Sequence, residues 1–208
     1  MYIPPLFAVH DKSAIFEVIE RFSFATLVTH GQNGLIASHL PFMLDRESGD
    51  DGTLIAHMAR ANPQWRDFVD GDDALVIFQG EHGYISPSWY EVHPSVPTWS
   101  YAVVHVYGTP HIIDDEADVR SVLERLVKTN ETGRDEPWVM DLPDEYYTGM
   151  VKGIVAFEIP ITRLEGKFKV SQNRPAVDQK HVLNRLITSD DPDQQGLGER
   201  MRATLKEI

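Results

Sequence analysis

The chain has no cysteine, which removes disulfides, thiolate nucleophiles and thiolate-bound metals from its chemistry. It has no apolar run long enough to cross a bilayer, and residues 1–10 lack the basic flank and apolar stretch of a secretory signal. The expected location is therefore cytoplasmic, away from membrane. Positive charge is also scarce: 19 Lys and Arg face 32 Asp and Glu, a formal net charge of −13. Affinity for a phosphate backbone comes from clustered Lys and Arg, so direct DNA binding is disfavoured. GxGxxG and GxxxxGK[ST] are absent, so a nucleotide cofactor would be held by neither a Rossmann turn nor a P-loop. Without GxSxG or HExxH, and with nine scattered histidines, neither a serine hydrolase nor a metal site is expected. Ser38 and His39 are adjacent in sequence and would face opposite sides of a strand, which makes a poor dyad.

With 208 residues, 42% hydrophobic and 25% charged, the chain can build a proper core. It reads as one domain over 1–208 with a helical extension from about 175, and no repeat or linker divides it. The charge is unevenly placed. Acids crowd into 45–51, 67–73, 114–118 and 135–145, which read as solvated turns and helix starts. Residues 23–44 and 92–113 carry no formal charge, whereas 53–66 and 166–177 are purely basic, with Arg60, Arg66, Lys167, Lys169 and Arg174. Such islands in an acidic protein suit either an anion site or buried strands with snorkelling ends.

Residues 11–22 put Ile15, Phe16, Val18, Ile19 and Phe22 on one helical face behind Asp11 as N-cap. Short strand-like runs separated by turns follow, including a turn at 30–34, and a long strand after Pro97. Helices are expected at 114–129 and over 177–188, with one or two strands between them and a polar tail after them. Lys180, His181 and Arg185 fall on the second of these helices and read as a solvated face rather than a recognition element. An antiparallel meander of this kind favours a small barrel over a βαβ sheet, an α+β and mainly β class with flanking helices.

The stretch 84–101, YISPSWYEVHPSVPTWSY, contains five aromatic residues and three prolines. Beyond it Trp99, Tyr101, Val103, His105 and Tyr107 alternate with Ser100, Ala102, Val104, Val106 and Gly108. The bulky set is expected to fill a barrel interior, and the small set to let the backbone approach something flat. Over 57–68, Asn62 before Pro63 predicts a capped helix start. Its free N–H groups, with Arg60 beside them, would suit an anion.

Six motifs in order, MYIPPLF, SHLPF, HMARANPQW, YISPSWY, VPTWSYAVVHVYG and KVSQNRP, resemble the PaiB-type family of FMN-binding negative transcriptional regulators. The resemblance implies an FMN-binding split β-barrel related to the pyridoxamine-phosphate oxidase and flavin reductase folds. It also implies a homodimer with FMN at the interface. By motif, the expected flavin-pocket residues are Ser38, His39, His57, Arg60, Asn62, Gln64, Trp99 and Tyr101. Lys169, Ser171, Gln172, Asn173 and Arg174 would close the pocket. FMN also accounts for the charge map, since its phosphate seeks Arg and amide donors and its ring an apolar slot. Three functions stay open: a flavin-binding regulator, a flavin-dependent oxidoreductase of the split-barrel group, and a cofactor-free interaction module.

Overall fold

A computed structural model describes residues 1–32, 34–70 and 72–205. Asn33 in the expected turn at 30–34, and Gly71 in the acidic run 67–73, lie outside the described residues. The chain forms two compact units. The first comprises 1–22, 78–105 and 165–208, and the second 23–77 and 106–164.

The first unit begins with β1 (Ala8–Val9) and α1 (Lys12–Arg21), whose N-cap Asp11 accepts from the Ser13 amide at 2.9 Å. Ile15, Phe16, Val18 and Ile19 are the buried face of α1, as the spacing predicts. β1 pairs antiparallel with β10 (Arg163–Lys169). The unit also holds most of two long strands, β6 (Ala74–Ile85) and β7 (Thr98–Gly108), and two helices, α4 (Ala176–Ile187) and α5 (Pro192–Leu205). Ile85, Tyr90, Val170, Val182, Leu186, Leu197 and Met201 form one core cluster.

Helix α5 replaces the expected polar tail. Its composition is polar, but Gly196 and Gly198 let it lie close to its neighbours: a Cβ on Gly198 would meet Leu186 and Ile187 at 2.8–3.2 Å. Burial of Leu197 and Met201 then outweighs the weak helix propensity of two glycines. A second anchor is ionic. Arg200 and Glu81, both buried, pair at 3.2 Å, and Arg21 and Glu17 complete the network at 3.0 and 3.2 Å. Two cations thus face two carboxylates, so neither buried charge is left uncompensated.

In the second unit β2 (Phe24–Gly31) pairs antiparallel with β3 (Gly34–Pro41) and with the start of β6. A separate sheet has the order β4-β5-β9-β8, with β4 (Met43–Asp45), β5 (Thr53–Ala59), β8 (His111–Ile113) and β9 (Ile154–Pro160). Helix α2 (Glu116–Glu131), capped by Asp115, places Val122 and Leu126 against Met43 and Ile55. A further helix, α3 (Asp144–Val151), starts at the end of the acidic run 135–145, which was read as solvated turns and helix starts; Tyr147 is buried beneath the Arg120 guanidinium, 4.0 Å from the ring centre. The helix expected after Asn62 is present as a 3₁₀ helix, Pro63–Asp70. β7 has its faces reversed: Ser100, Ala102, Val104, Val106 and Gly108 are buried, while Trp99, Tyr101, Val103, His105 and Tyr107 are exposed or half-buried. The small side chains let this strand pack tightly. At Gly108 a Cβ would come within 2.2 Å of the Pro160 carbonyl oxygen. No helix of the described residues is long and apolar enough to cross a membrane.

Candidate functional site

In the second unit, Ser38, His39, Asn62 and Gln64 are brought to one place by the pairing of β2 with β3 and by the turn after β5. The Asn62 side chain links two motifs. Its Oδ1 accepts from the Gln64 amide at 3.0 Å, the expected cap, and its Nδ2 donates to Ser38 Oγ at 2.8 Å. Across the ladder from His39 stands Thr26, with Thr26 Oγ1 and His39 Nδ1 at 3.1 Å. Strand register, which sequence does not give, supplies this partner.

Gln64 is fully buried and faces the chain. Its Nε2 donates to Leu27 O, Thr29 Oγ1 and Ile36 O at 3.2–3.3 Å, which fixes the 3₁₀ helix onto β2 and β3. Its Oε1 is buried without a partner, as is Nδ1 of His57, which lies mid-strand opposite Ala156. Burial pushes the His57 imidazole below the usual histidine range, which disfavours its charged form. Arg60 is exposed. Its Nε donates to Lys152 O at 3.0 Å, leaving the terminal guanidinium nitrogens as the cationic donors of the group.

In the first unit, Trp99 is 55% exposed and lies beside Tyr84, 46% exposed, and His82, with ring centres 6.1 and 6.4 Å away. Tyr101 is half-buried, with Lys167 Nζ 5.3 Å from its ring centre. After β10 the chain makes a sharp turn in which Ser171 adopts a left-handed φ of 66°. Gln172 holds the turn from both sides. Its Oε1 accepts from the Val170 amide at 2.7 Å and its Nε2 donates to Phe168 O at 2.5 Å. Arg174 pairs with the fully buried Asp178 at 2.5 Å and donates to Ser95 Oγ at 2.7 Å, while Asp178 accepts from the amides of Glu91 and Val92. Lys169 donates to Thr98 Oγ1, and Asn173 is exposed nearby. Ser100, which no motif reading singled out, is buried there with a hydroxyl that has no partner.

The donor set of the second unit fits a flavin mononucleotide in chemistry. Arg60 suits the phosphate, and the Ser38 hydroxyl and the Asn62 amide suit the ribityl or ring-edge oxygens. When bound, FMN supplies electron and hydride transfer. These side chains would bind and orient it, with Gln64 holding the segment that carries Asn62.

Comparison with known proteins agrees. Residues 1–163 match the family model described as "Putative FMN-binding domain". Over 207 residues the chain is 36% identical to "Protease synthase and sporulation protein PAI 2" of Bacillus subtilis, covering 99% of both chains. Among solved structures, the FAD and haem binding protein of Mycobacterium smegmatis aligns with a TM-score of 0.61 at 18% identity, over 83% of this chain and 78% of that one. The flavocytochrome Anf3 of Azotobacter vinelandii aligns with a TM-score of 0.61 at 14% identity, over 78% and 69%. The fold is thus the mainly β, antiparallel split-barrel class that the sequence predicts.

Proposed function

Because this chain belongs to the FMN-binding domain family and has FMN as its cofactor, we propose that it acts as a homodimeric, FMN-binding negative regulator of gene expression. The observation that carries the reading is the uncovered aromatic surface of Trp99, Tyr84 and His82. Large aromatic side chains side by side on a sheet face are the composition of an interface core, and a second copy of the chain would cover them. The regulatory role is supported by the near full-length relative, whose name concerns protease synthesis and sporulation. With a net charge of −13, a partner protein suits the effect better than direct contact with duplex DNA.

Trp99→Glu is expected to convert the dimer to monomer in sedimentation velocity, since it buries an unpaired carboxylate at the contact. A variant that stays dimeric would place the contact elsewhere. For the cofactor, Arg60→Glu puts like charge beside the phosphate, and FMN affinity should fall at least tenfold, about 1.4 kcal/mol. The two roles meet in one experiment on cells. Removal of the gene should raise a set of transcripts, wild-type protein should lower them again, and Arg60→Glu should not. Unchanged transcript levels on removal would overturn the regulatory reading.

A further inference from the structure

We infer that a cavity in the first unit is a separate binding site for a small free oxoanion of phosphate size, distinct from the flavin. The cavity has a volume of about 160 Å³ and is walled on its polar side by Thr98, Ser100, Lys169, Ser171, Asn173 and Arg174. That volume is below the roughly 300–1,000 Å³ of pockets that enclose whole organic ligands, so the cavity does not enclose an isoalloxazine ring, whereas an ion with a few waters fits.

Three features make it a built site. Ser100 is 2% exposed and its hydroxyl finds no partner, a costly state unless a ligand atom supplies the missing hydrogen bond. Lys169 is half-buried and donates to Thr98 Oγ1; among the described residues no carboxylate pairs with it. Arg174 is neutralised by Asp178 and held in place by Ser95 Oγ and Val92 O, so its guanidinium is positioned at the rim without needing a ligand to order it. The net charge around the cavity is therefore one positive unit, that of Lys169. The third feature is backbone strain. Ser171 takes the left-handed conformation that favours glycine; the Arg174 amide and Gln179 Nε2 both donate to Ser171 O, and Gln172 braces the turn by accepting from the Val170 amide and donating to Phe168 O. Strain maintained by several dedicated contacts is characteristic of a binding wall.

Hydroxyls, an amide and one uncompensated ammonium with no facing carboxylate free to repel it form a donor set for a singly or doubly charged oxoanion. The α4 carboxylate nearest the cavity, Asp178, is occupied by Arg174 and by the amides of Glu91 and Val92.

The test is a titration of inorganic phosphate into the FMN-loaded full-length protein in a phosphate-free buffer, with chloride at matched ionic strength as the control. The melting temperature should rise with phosphate and not with chloride. Lys169→Met should weaken phosphate at least tenfold, and Ser100→Ala, which removes only the buried hydroxyl, should weaken it severalfold while FMN affinity is unchanged. Should Lys169→Met fail to fold, Ser100→Ala decides. Phosphate that competes with FMN would mean that the cavity takes the cofactor's own phosphate and would overturn the separate site. So would wild-type phosphate affinity in both variants, or a melting temperature indifferent to phosphate. Because the same titration can be read on flavin-free protein, failure of the phosphate site and failure of flavin binding give different results.

Discussion

Asp178→Ala should lower the unfolding free energy by about 4 kcal/mol, the cost of removing one partner from a buried ion pair. The carboxylate is fully buried. It receives the Glu91 amide at 2.8 Å, the Val92 amide at 3.1 Å and Arg174 Nε at 3.0 Å, so its loss strands two backbone donors and one cation together. Asp178 sits in the first turn of α4 and thereby fastens the aromatic, proline-rich 84–101 stretch to that helix. The same residue sets a pH dependence. Burial alone would raise its pKa, but the amides of Val92 and Glu91 and the Arg174 guanidinium outweigh burial and hold it below the usual carboxylate range. A folded value below the unfolded one means that the stabilisation is present above the ordinary 3.8 and is lost as pH falls through the lowered value. Urea melts of wild type and Asp178→Ala should therefore differ most at neutral pH and converge under acid. Equal midpoints at pH 7 would remove Asp178 as the anchor.

The second large effect belongs to Gln64. Its single amide group serves three acceptors on β2 and β3, and Gln64→Ala leaves them without that donor, for an expected loss of about 3 kcal/mol. Gln64 acts here as a positioning residue, and the measurement separates that role from flavin contact. A positioning role lowers the urea midpoint of the flavin-free protein and weakens FMN through displacement of Asn62. A Gln64 that only touched the flavin would lose FMN affinity and keep its flavin-free midpoint.

The elements that were legible in sequence are those fixed by local periodicity and capping. α1 follows from Asp11 and apolar residues at helical spacing, α2 from the acidic helix start at 114–118, and the antiparallel sheet class from alternating strands between turn residues. Pairwise tertiary effects were not legible. Alternation gave the two faces of β7 correctly, but which face is buried depends on what packs there. The close approach at Gly108 buries the small side chains and leaves Trp99 outside. The polar composition of 189–205 hid α5, because the burial of Leu197 and Met201 depends on glycine contacts with distant residues. The motifs gave candidate residues only. They could not tell which members face a ligand and which, like Gln64 and Gln172, spend their hydrogen bonds on the chain itself. Ser100 and Thr26 escaped notice because a serine or threonine in a strand gains meaning only from register and burial.

The most direct measurement is the visible absorption spectrum of the purified protein after incubation with FMN and removal of the excess by gel filtration. The account predicts a yellow protein that retains flavin in stoichiometric amount. A colourless protein with no flavin bands would contradict it.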